Sequence, residues 1–191
     1  MTTKLHLGCG NKHIPGYIHI DVADYSHIDY KRSIHDLPMF ADDSVDYIYC
    51  CHALEYFDRT MGCLALKEWY RILKPGGILR LAVPDFEAIV NIYLKNNNIE
   101  SQGILGPLYG KIVIKEEQPN GDSLNKFLYH KTAYDFKSLR KILKEIGFRR
   151  IKRYEWRETE HCFVDDFAAS YIPHMNFENG TLISLNMEAR K

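Results

Sequence analysis

Two glycines near the start of the chain, and an acidic residue shortly after them, could together bind a nucleoside. The segment Leu5–Gly10 is typical of an apolar strand that ends in a Gly-x-Gly turn at Gly8 and Gly10. Glycine lets the backbone turn tightly and lets a ligand approach it without a Cβ in the way. Asp21 ends the next apolar strand, where its carboxylate could accept hydrogen bonds from both ribose hydroxyls. Capping a turn is the alternative role for Asp21, but the preceding glycine turn favours ribose binding.

Composition and charge restrict the classes of protein that the chain can represent. The 191 residues suit one domain with one core. The 25 basic and 25 acidic side chains cancel, so we expect no net attraction to nucleic acid or to an anionic membrane. The five cysteines include no C-x-x-C pair, which argues against a disulfide framework or a structural zinc site and favours a cytoplasmic protein. No apolar run approaches the ~18 residues of a membrane span, and the early first strand leads us to expect no signal peptide.

Strand-like and helix-like segments alternate along the chain, which is typical of an α/β protein. The apolar segments Val45–Cys51 and Ile78–Val83 are predicted core strands. Between them we expect a helix with Asp58 as its N-cap and the turn Lys74–Gly77 at its end. The carboxyl ends of these strands are where the pocket of a parallel sheet opens.

The second half of the chain contains an irregular insert and a final helix with two strands. Residues 96–130 lack clear periodicity, apart from a possible hairpin strand over Lys111–Lys115. Because so long an irregular stretch is usually functional or mobile, we expect the insert to cover the active site. The last long helix is predicted to begin after the N-cap Asp135 and to end at Gly147. Two strands follow, over Phe148–Trp156 and Thr181–Ala189.

Four segments, in their order and spacing, resemble the class I S-adenosylmethionine (SAM)-dependent methyltransferases. They are Leu5–Gly10, Asp36–Pro38 with Asp42–Ile48, His52–Tyr56, and Glu68–Gly77. The resemblance implies a single Rossmann-like α/β domain over residues 1–191, with a mostly parallel seven-stranded sheet. It implies that the last strand lies antiparallel beside the fifth strand. It also implies SAM as the cofactor and methyl transfer as the reaction.

One departure from the family pattern concerns the first helix. Methyltransferases of this class usually place a helix between the glycine turn and the second strand. Here Asn11–Gly16 leaves room for no more than about one helical turn. We therefore expect this helix to be reduced or missing, which would open one side of the cofactor pocket. The spacing resembles that of a subgroup of small predicted methyltransferases.

The resemblance also implies contacts with each part of the cofactor. Asp21 would hold the ribose, and Asp36 would accept a hydrogen bond from the adenine amino group unless it is an ordinary turn residue. Leu37 would offer backbone contacts and an apolar surface to adenine. His52 would line the place where the methyl group is presented, with Leu54 packed beneath. The glycine turn would pass close to the methionine part through Leu7, Gly8, Cys9 and Gly10.

Histidines are the candidate bases for the reaction. Methyl transfer depends on alignment of the reacting atoms, and a hydroxyl acceptor also benefits from a base that titrates near neutral pH. His52 follows the fourth strand, and His130 lies at the end of the predicted insert. We predict that His130 or His52 is the base or a substrate-positioning residue, although either could be structural. Glu55 could assist. Tyr109 and Tyr134 are predicted walls of the acceptor pocket.

The sequence therefore predicts a SAM-dependent methyltransferase that acts on oxygen or nitrogen of a small-molecule or glycan acceptor. The glycan alternative rests on the resemblance to the subgroup. A catalytically silent methyltransferase-like binding or scaffold protein stays open, because the first helix is short and no base is unambiguous. A nicotinamide-dependent oxidoreductase ranks last, because the motif lacks a third glycine and a helix N-terminus for a pyrophosphate. No metal site is expected, since His52, Glu55 and Asp58 lack the spacing of a known ligand set.

Overall fold

A seven-stranded sheet forms the centre of the protein. The computed structural model describes residues 2–100, 103–117 and 123–191. Within them the sheet strands are β1 (Lys4–Leu7), β2 (Ile18–Asp21), β3 (Tyr30–Lys31), β4 (Val45–Cys51), β5 (Leu73–Pro84), β8 (Arg149–Arg153) and β11 (Ser184–Arg190). Their order is β3-β2-β1-β4-β5-β11-β8, with β11 antiparallel to β5 and β8 and the other pairs parallel. This arrangement confirms the predicted sheet, including the antiparallel last strand beside the fifth.

Four further strands form two small antiparallel sheets. They are β6 (Lys111–Glu117) with β7 (Ser123–Tyr129), and β9 (Tyr171–Ile172) with β10 (Thr181–Leu182). Strand β6 confirms the predicted strand that begins at Lys111. Residues 101–102 and 118–122 of the predicted insert lie outside the described residues. The predicted strand over Thr181–Ala189 is divided in two, because its first residues pair with β9 while β11 joins the main sheet.

The described residues also form four α-helices, which connect or flank these strands. They are α1 (Arg59–Ile72), α2 (Phe86–Asn96), α3 (Leu105–Tyr109) and α4 (Phe136–Ile146). The Asp58 side chain accepts a hydrogen bond from the Met61 N–H, and Asp135 forms a reciprocal capping box with Ser138. Both predicted N-caps are therefore confirmed. Among the described residues, no helix is long and apolar enough to cross a membrane.

The two faces of the sheet are covered differently. One face carries Leu5, Ile48 and Leu79, and it packs against α1 and α4 in the main core. The other face carries Tyr47 and Tyr49, which pack against Ile14, Tyr17 and Val164 from irregular segments. Residues 11–17 are all described and none of them is helical, so the expected loss of the first helix is confirmed. Loops therefore cover the face next to the glycine turn.

Candidate functional site

The two glycines of the first turn have different surroundings. Both have left-handed backbone, with φ of 65° at Gly8 and 53° at Gly10. A Cβ added at Gly8 would lie 2.3 Å from the Cβ of Ala53, whereas one added at Gly10 would meet no atom within 4 Å. Gly8 is therefore required for packing within the protein, and the open space for a ligand lies beside Gly10. The flanking Leu7 and Cys9 bury their side chains, so only their backbone atoms could contact a cofactor.

Asp21 lies at the end of β2 with its carboxylate against the glycine turn. Its Oδ2 accepts a hydrogen bond of 2.8 Å from the Gly10 N–H, and its Oδ1 accepts one of 2.8 Å from the Ala23 N–H. These bonds hold the carboxylate in a fixed orientation. Each carboxylate oxygen has a second lone pair, so Asp21 can cap this turn and still accept hydrogen bonds from two hydroxyl groups.

The predicted adenine segment lies on the surface between β3 and β4. Asp36 forms an ion pair with Arg32 and remains about half exposed. Leu37 is fully buried in the main core, its N–H donates to Glu68 Oε1 at 2.9 Å, and its carbonyl accepts from Arg71. The predicted apolar surface at Leu37 is therefore wrong, because this residue ties the segment to α1 and leaves no surface for a ligand.

His52 begins the turn after β4 and has an unusual backbone conformation. Its φ is 51°, a left-handed value that is uncommon outside glycine and often marks functional sites. Its Nε2 lies 2.9 Å from Ser184 Oγ, which in turn lies 2.9 Å from Asn186 Oδ1. This chain of hydrogen bonds connects His52 to β11. Leu54, two residues later, is fully buried beneath the turn.

His130 follows β7 and is held by the neighbouring segment of the insert. Its Nδ1 lies 3.0 Å from the carbonyl oxygen of Pro107, and its N–H donates to the carbonyl of Tyr109 at 2.9 Å. A Cβ at position 110 would lie 2.1 Å from His130 Nε2, so glycine there allows the backbone to cover the ring. The ring packs edge-on against Tyr56, with centroids 4.7 Å apart.

Glu55 brings the two candidate histidines together. Its side chain is fully buried, and its Oε1 lies 3.3 Å from His52 Nδ1 and 3.7 Å from His130 Nε2. Neither carboxylate oxygen has a hydrogen-bond partner among the described residues. The Glu55 carbonyl also accepts a hydrogen bond of 2.8 Å from the Lys131 N–H, which fixes the end of the insert to this turn. His52 and Glu55 are three positions apart, a spacing that places two side chains on the same side of a helical turn. This spacing was the signal in the sequence for their contact.

The predicted walls of the acceptor pocket differ in exposure. Tyr109 is largely exposed, as a pocket wall requires. Tyr134 is only 2 % exposed, belongs to the main core and stacks against the Arg59 guanidinium. Its predicted role as an accessible wall is therefore wrong. Phe167 is 65 % exposed and its ring centroid lies 5.4 Å from that of His52, so it offers an aromatic wall that the sequence did not indicate.

No metal centre is formed in the part of the chain that the structure describes. There, no group of three or more histidine, cysteine, aspartate or glutamate residues could hold a metal ion. The site consists instead of the Asp21 carboxylate, the open side of the glycine turn, and the two histidines around Glu55.

Comparison with known proteins relates part of the chain to a family model and the whole fold to solved structures. Residues 22–81 match the family model of a methyltransferase domain. The match covers less than half of the chain, and SAM-dependent methyltransferases are among the solved structures that share its fold. No curated protein matches this chain.

Solved structures share the fold over nearly the whole chain. A SAM-dependent methyltransferase from Archaeoglobus fulgidus has 15% identity and a TM-score of 0.56, with 100% of this chain and 86% of that chain covered. A possible histamine N-methyltransferase from Thermotoga maritima has 16% identity and a TM-score of 0.57, with 100% of this chain and 83% of that chain covered. The 1,6-didemethyltoxoflavin-N1-methyltransferase from Burkholderia thailandensis, solved with 1,6-didemethyltoxoflavin and S-adenosylhomocysteine, has 12% identity and a TM-score of 0.52, with 99% and 70% covered.

Proposed function

We propose that this protein binds SAM and transfers its methyl group to oxygen or nitrogen of a small-molecule or glycan acceptor. The observation that carries the proposal is the oriented Asp21 carboxylate beside the open side of Gly10. A carboxylate fixed at the end of the second strand of such a sheet is suited to the two hydroxyls of a ribose. The match of residues 22–81 to a methyltransferase domain supports SAM as the nucleoside that fills this place.

The residues present fit the cofactor at three points. Asp21 would accept hydrogen bonds from the ribose hydroxyls, and the backbone at Gly10 would lie beside the methionine part. Val22 is 41 % exposed directly after Asp21, and it offers adenine the apolar surface that the buried Leu37 does not. Asp36 would still accept from the adenine amino group, in competition with Arg32. When bound, SAM supplies a sulfonium methyl group whose carbon–sulfur bond breaks with the electron pair left on sulfur.

The two histidines would receive the proton that the acceptor loses. His130 Nε2 forms no hydrogen bond among the described residues, because its distance of 3.7 Å from Glu55 Oε1 is too long for one. This nitrogen therefore has a lone pair that can take a proton, as does Nδ1 of His52 on the other side of Glu55. The exposed rings of Tyr109 and Phe167 would pack against the acceptor. Flat faces of this kind suit aromatic rings or sugars.

The reducing cytoplasm is the compartment that we propose for this reaction. All five cysteines are free, including the exposed Cys162. Exposed free thiols are common where glutathione and thioredoxin keep them reduced.

A methyl-transfer assay tests the proposed reaction. The protein is incubated with methyl-labelled SAM and with panels of phenols, amines and sugars, and labelled product is measured. We expect His130→Ala to keep SAM binding and to lower turnover by a factor of about 10² or more, since a positioned base contributes about that much. Turnover that is unchanged in His130→Ala would remove this residue from the mechanism.

A catalytically silent binding protein is the second candidate function. The observation in its favour is that one ring nitrogen of each histidine is already hydrogen-bonded within the protein. In this case wild-type protein would bind SAM but label no member of any acceptor panel.

A further inference from the structure

The hydrogen bonds around His52 fix the position of its ring proton. The Asn186 side-chain N–H₂ donates to the carbonyl of Ala168 at 2.8 Å, so its Oδ1 faces Ser184 as an acceptor. The single hydroxyl proton of Ser184 is donated to that Oδ1, and the Ser184 oxygen must therefore accept from His52 Nε2. A neutral imidazole carries only one N–H. In neutral His52, the bare nitrogen is Nδ1, which is the one that faces Glu55.

The same reasoning fixes the ring proton of His130. Its Nδ1 lies 3.0 Å from the Pro107 carbonyl oxygen, which can only accept a hydrogen bond. Nδ1 therefore carries the proton, and in neutral His130 the bare nitrogen is Nε2. This nitrogen also faces Glu55.

Glu55 is consequently a buried carboxyl between two nitrogen lone pairs. A carboxylate removed from water without a hydrogen-bond donor is costly, and lone pairs on both sides add repulsion. A proton on either ring reduces both the cost of desolvation and the repulsion. The protonated ring nitrogen becomes a donor to the carboxylate and forms an ion pair with it. The arrangement therefore disfavours the state in which Glu55 is ionised and both rings are neutral.

We propose that Glu55 is a positioning residue that holds His52 and His130 as one proton-accepting unit and stabilises the imidazolium formed when either ring takes the acceptor's proton. The catalytic use of this unit rests on the proposed function, whereas the coupling between the three side chains does not. The acceptor proton moves to a ring nitrogen that faces Glu55, and the positive charge is balanced by the carboxylate. A carboxylate beside a catalytic imidazole acts in this way in hydrolase triads.

Other titratable groups near the unit are neutral near pH 7 or are hydrogen-bonded to another residue. Burial raises the pKa of Tyr56 and that of Tyr134 to about 12, and it also raises the pKa of Cys50, so all three are neutral near pH 7. Asp166 interacts electrostatically with His52, and burial raises the pKa of this carboxyl. It accepts a hydrogen bond from Tyr49 at 2.6 Å and caps the helical turn that begins at Phe167.

The first test follows the two rings by NMR in the protein without cofactor. The pH midpoints of His52 and His130 are measured from ring ¹³C and ¹⁵N shifts in wild type and in Glu55→Gln, which keeps the shape and removes the charge. We expect both midpoints to fall, by about one pH unit or more for the ring that protonates first. Glu87→Gln, an exposed carboxylate on α2, is the control and should change neither midpoint. Midpoints that are the same in wild type and Glu55→Gln would overturn the proposal.

A second variant keeps the test decisive if Glu55→Gln does not fold. In wild type each ring signal should respond to both protonation steps, because the rings share one carboxylate. In His130→Gln, His52 should titrate in a single step. A single independent step for His52 in both proteins would overturn the proposal.

The outcomes also separate this inference from the proposed function. If S-adenosylhomocysteine binds while the rings titrate independently of Glu55, the inference alone is wrong. If the rings depend on Glu55 and no S-adenosylhomocysteine binds, the proposed function alone is wrong.

Discussion

At the scale of single residues, the glycine turn combines a packing role and a binding role. Gly8 allows β1 to end directly against Ala53, and Gly10 leaves open space beside the Asp21 carboxylate. Sequence patterns show both glycines as equivalent members of one motif. The difference between them depends on Ala53, which lies more than forty positions later in the chain. No local pattern could indicate that contact.

Gly8→Ala should destabilise the protein by about 3 kcal/mol, because the new Cβ adds a clash with Ala53 to left-handed backbone strain. Gly16→Ala is the matched control, since Gly16 has a φ of 82° but no atom within 4 Å of an added Cβ. Gly16→Ala should lower the free energy of unfolding by about 1 kcal/mol, the cost of the left-handed backbone strain alone. Urea unfolding of the three proteins measures both values. An equal loss of unfolding free energy in the two variants would contradict the prediction, because the clash with Ala53 would then cost nothing.

At the scale of elements, the sequence predicted strands and helices that carry strong local signals. Strand β4 has its predicted bounds, and the N-caps at Asp58 and Asp135 begin α1 and α4 as expected. The less successful predictions concern segments whose partners are distant. The stretch from Thr181 to Ala189 looks like one strand, but Thr181 and Leu182 pair with β9, whereas the residues from Ser184 onward pair with β5.

The candidate site was predicted in part for the same reason. His52 and His130 could be chosen by type and by position at the end of an element, and the structure places both against Glu55. The wrong roles at Leu37 and Tyr134 both result from burial, which depends on how α1 and the segment before α4 pack. Phe167 was missed because its position beside His52 depends on the turn that Asp166 caps.

At the scale of the whole molecule, the loss of the first helix leaves a polar, histidine-rich layer over one face of the sheet. His6 and His19 lie on adjacent strands of this face with ring centroids 5.6 Å apart, and His161 stacks on Tyr49. Burial lowers the pKa of His6 to about 3 and that of His161 to about 4, with the charges of neighbouring histidines and of Arg80 as further causes. These rings are therefore neutral in the folded protein near pH 7.

The free energy of unfolding should fall as the pH decreases below about 6.5. In the unfolded chain both histidines protonate near that pH, whereas in the folded protein they protonate only near pH 3 to 4. The unfolded state thus binds more protons within this window, at a cost of about 1.4 kcal/mol per pH unit for each histidine. Above pH 6.5 both histidines are neutral in the folded and in the unfolded chain, so they no longer lower the free energy of unfolding. Urea unfolding between pH 8 and pH 4 measures the slope, and His6→Gln should reduce it. A free energy that stays constant from pH 7 to pH 5 would contradict this account.

The central claim concerns the whole molecule, since it states that a methyltransferase-like fold without the first helix binds SAM. Calorimetric titration with S-adenosylhomocysteine tests it most directly, in wild type, in Asp21→Ala and in the control Asp24→Ala, an exposed carboxylate paired with Lys31. Circular dichroism establishes that each variant is folded. We predict micromolar binding by wild type and by Asp24→Ala, and affinity at least about tenfold weaker in Asp21→Ala, the loss expected for about 1.4 kcal/mol. No binding by wild type, or equal binding by folded Asp21→Ala, would contradict the claim.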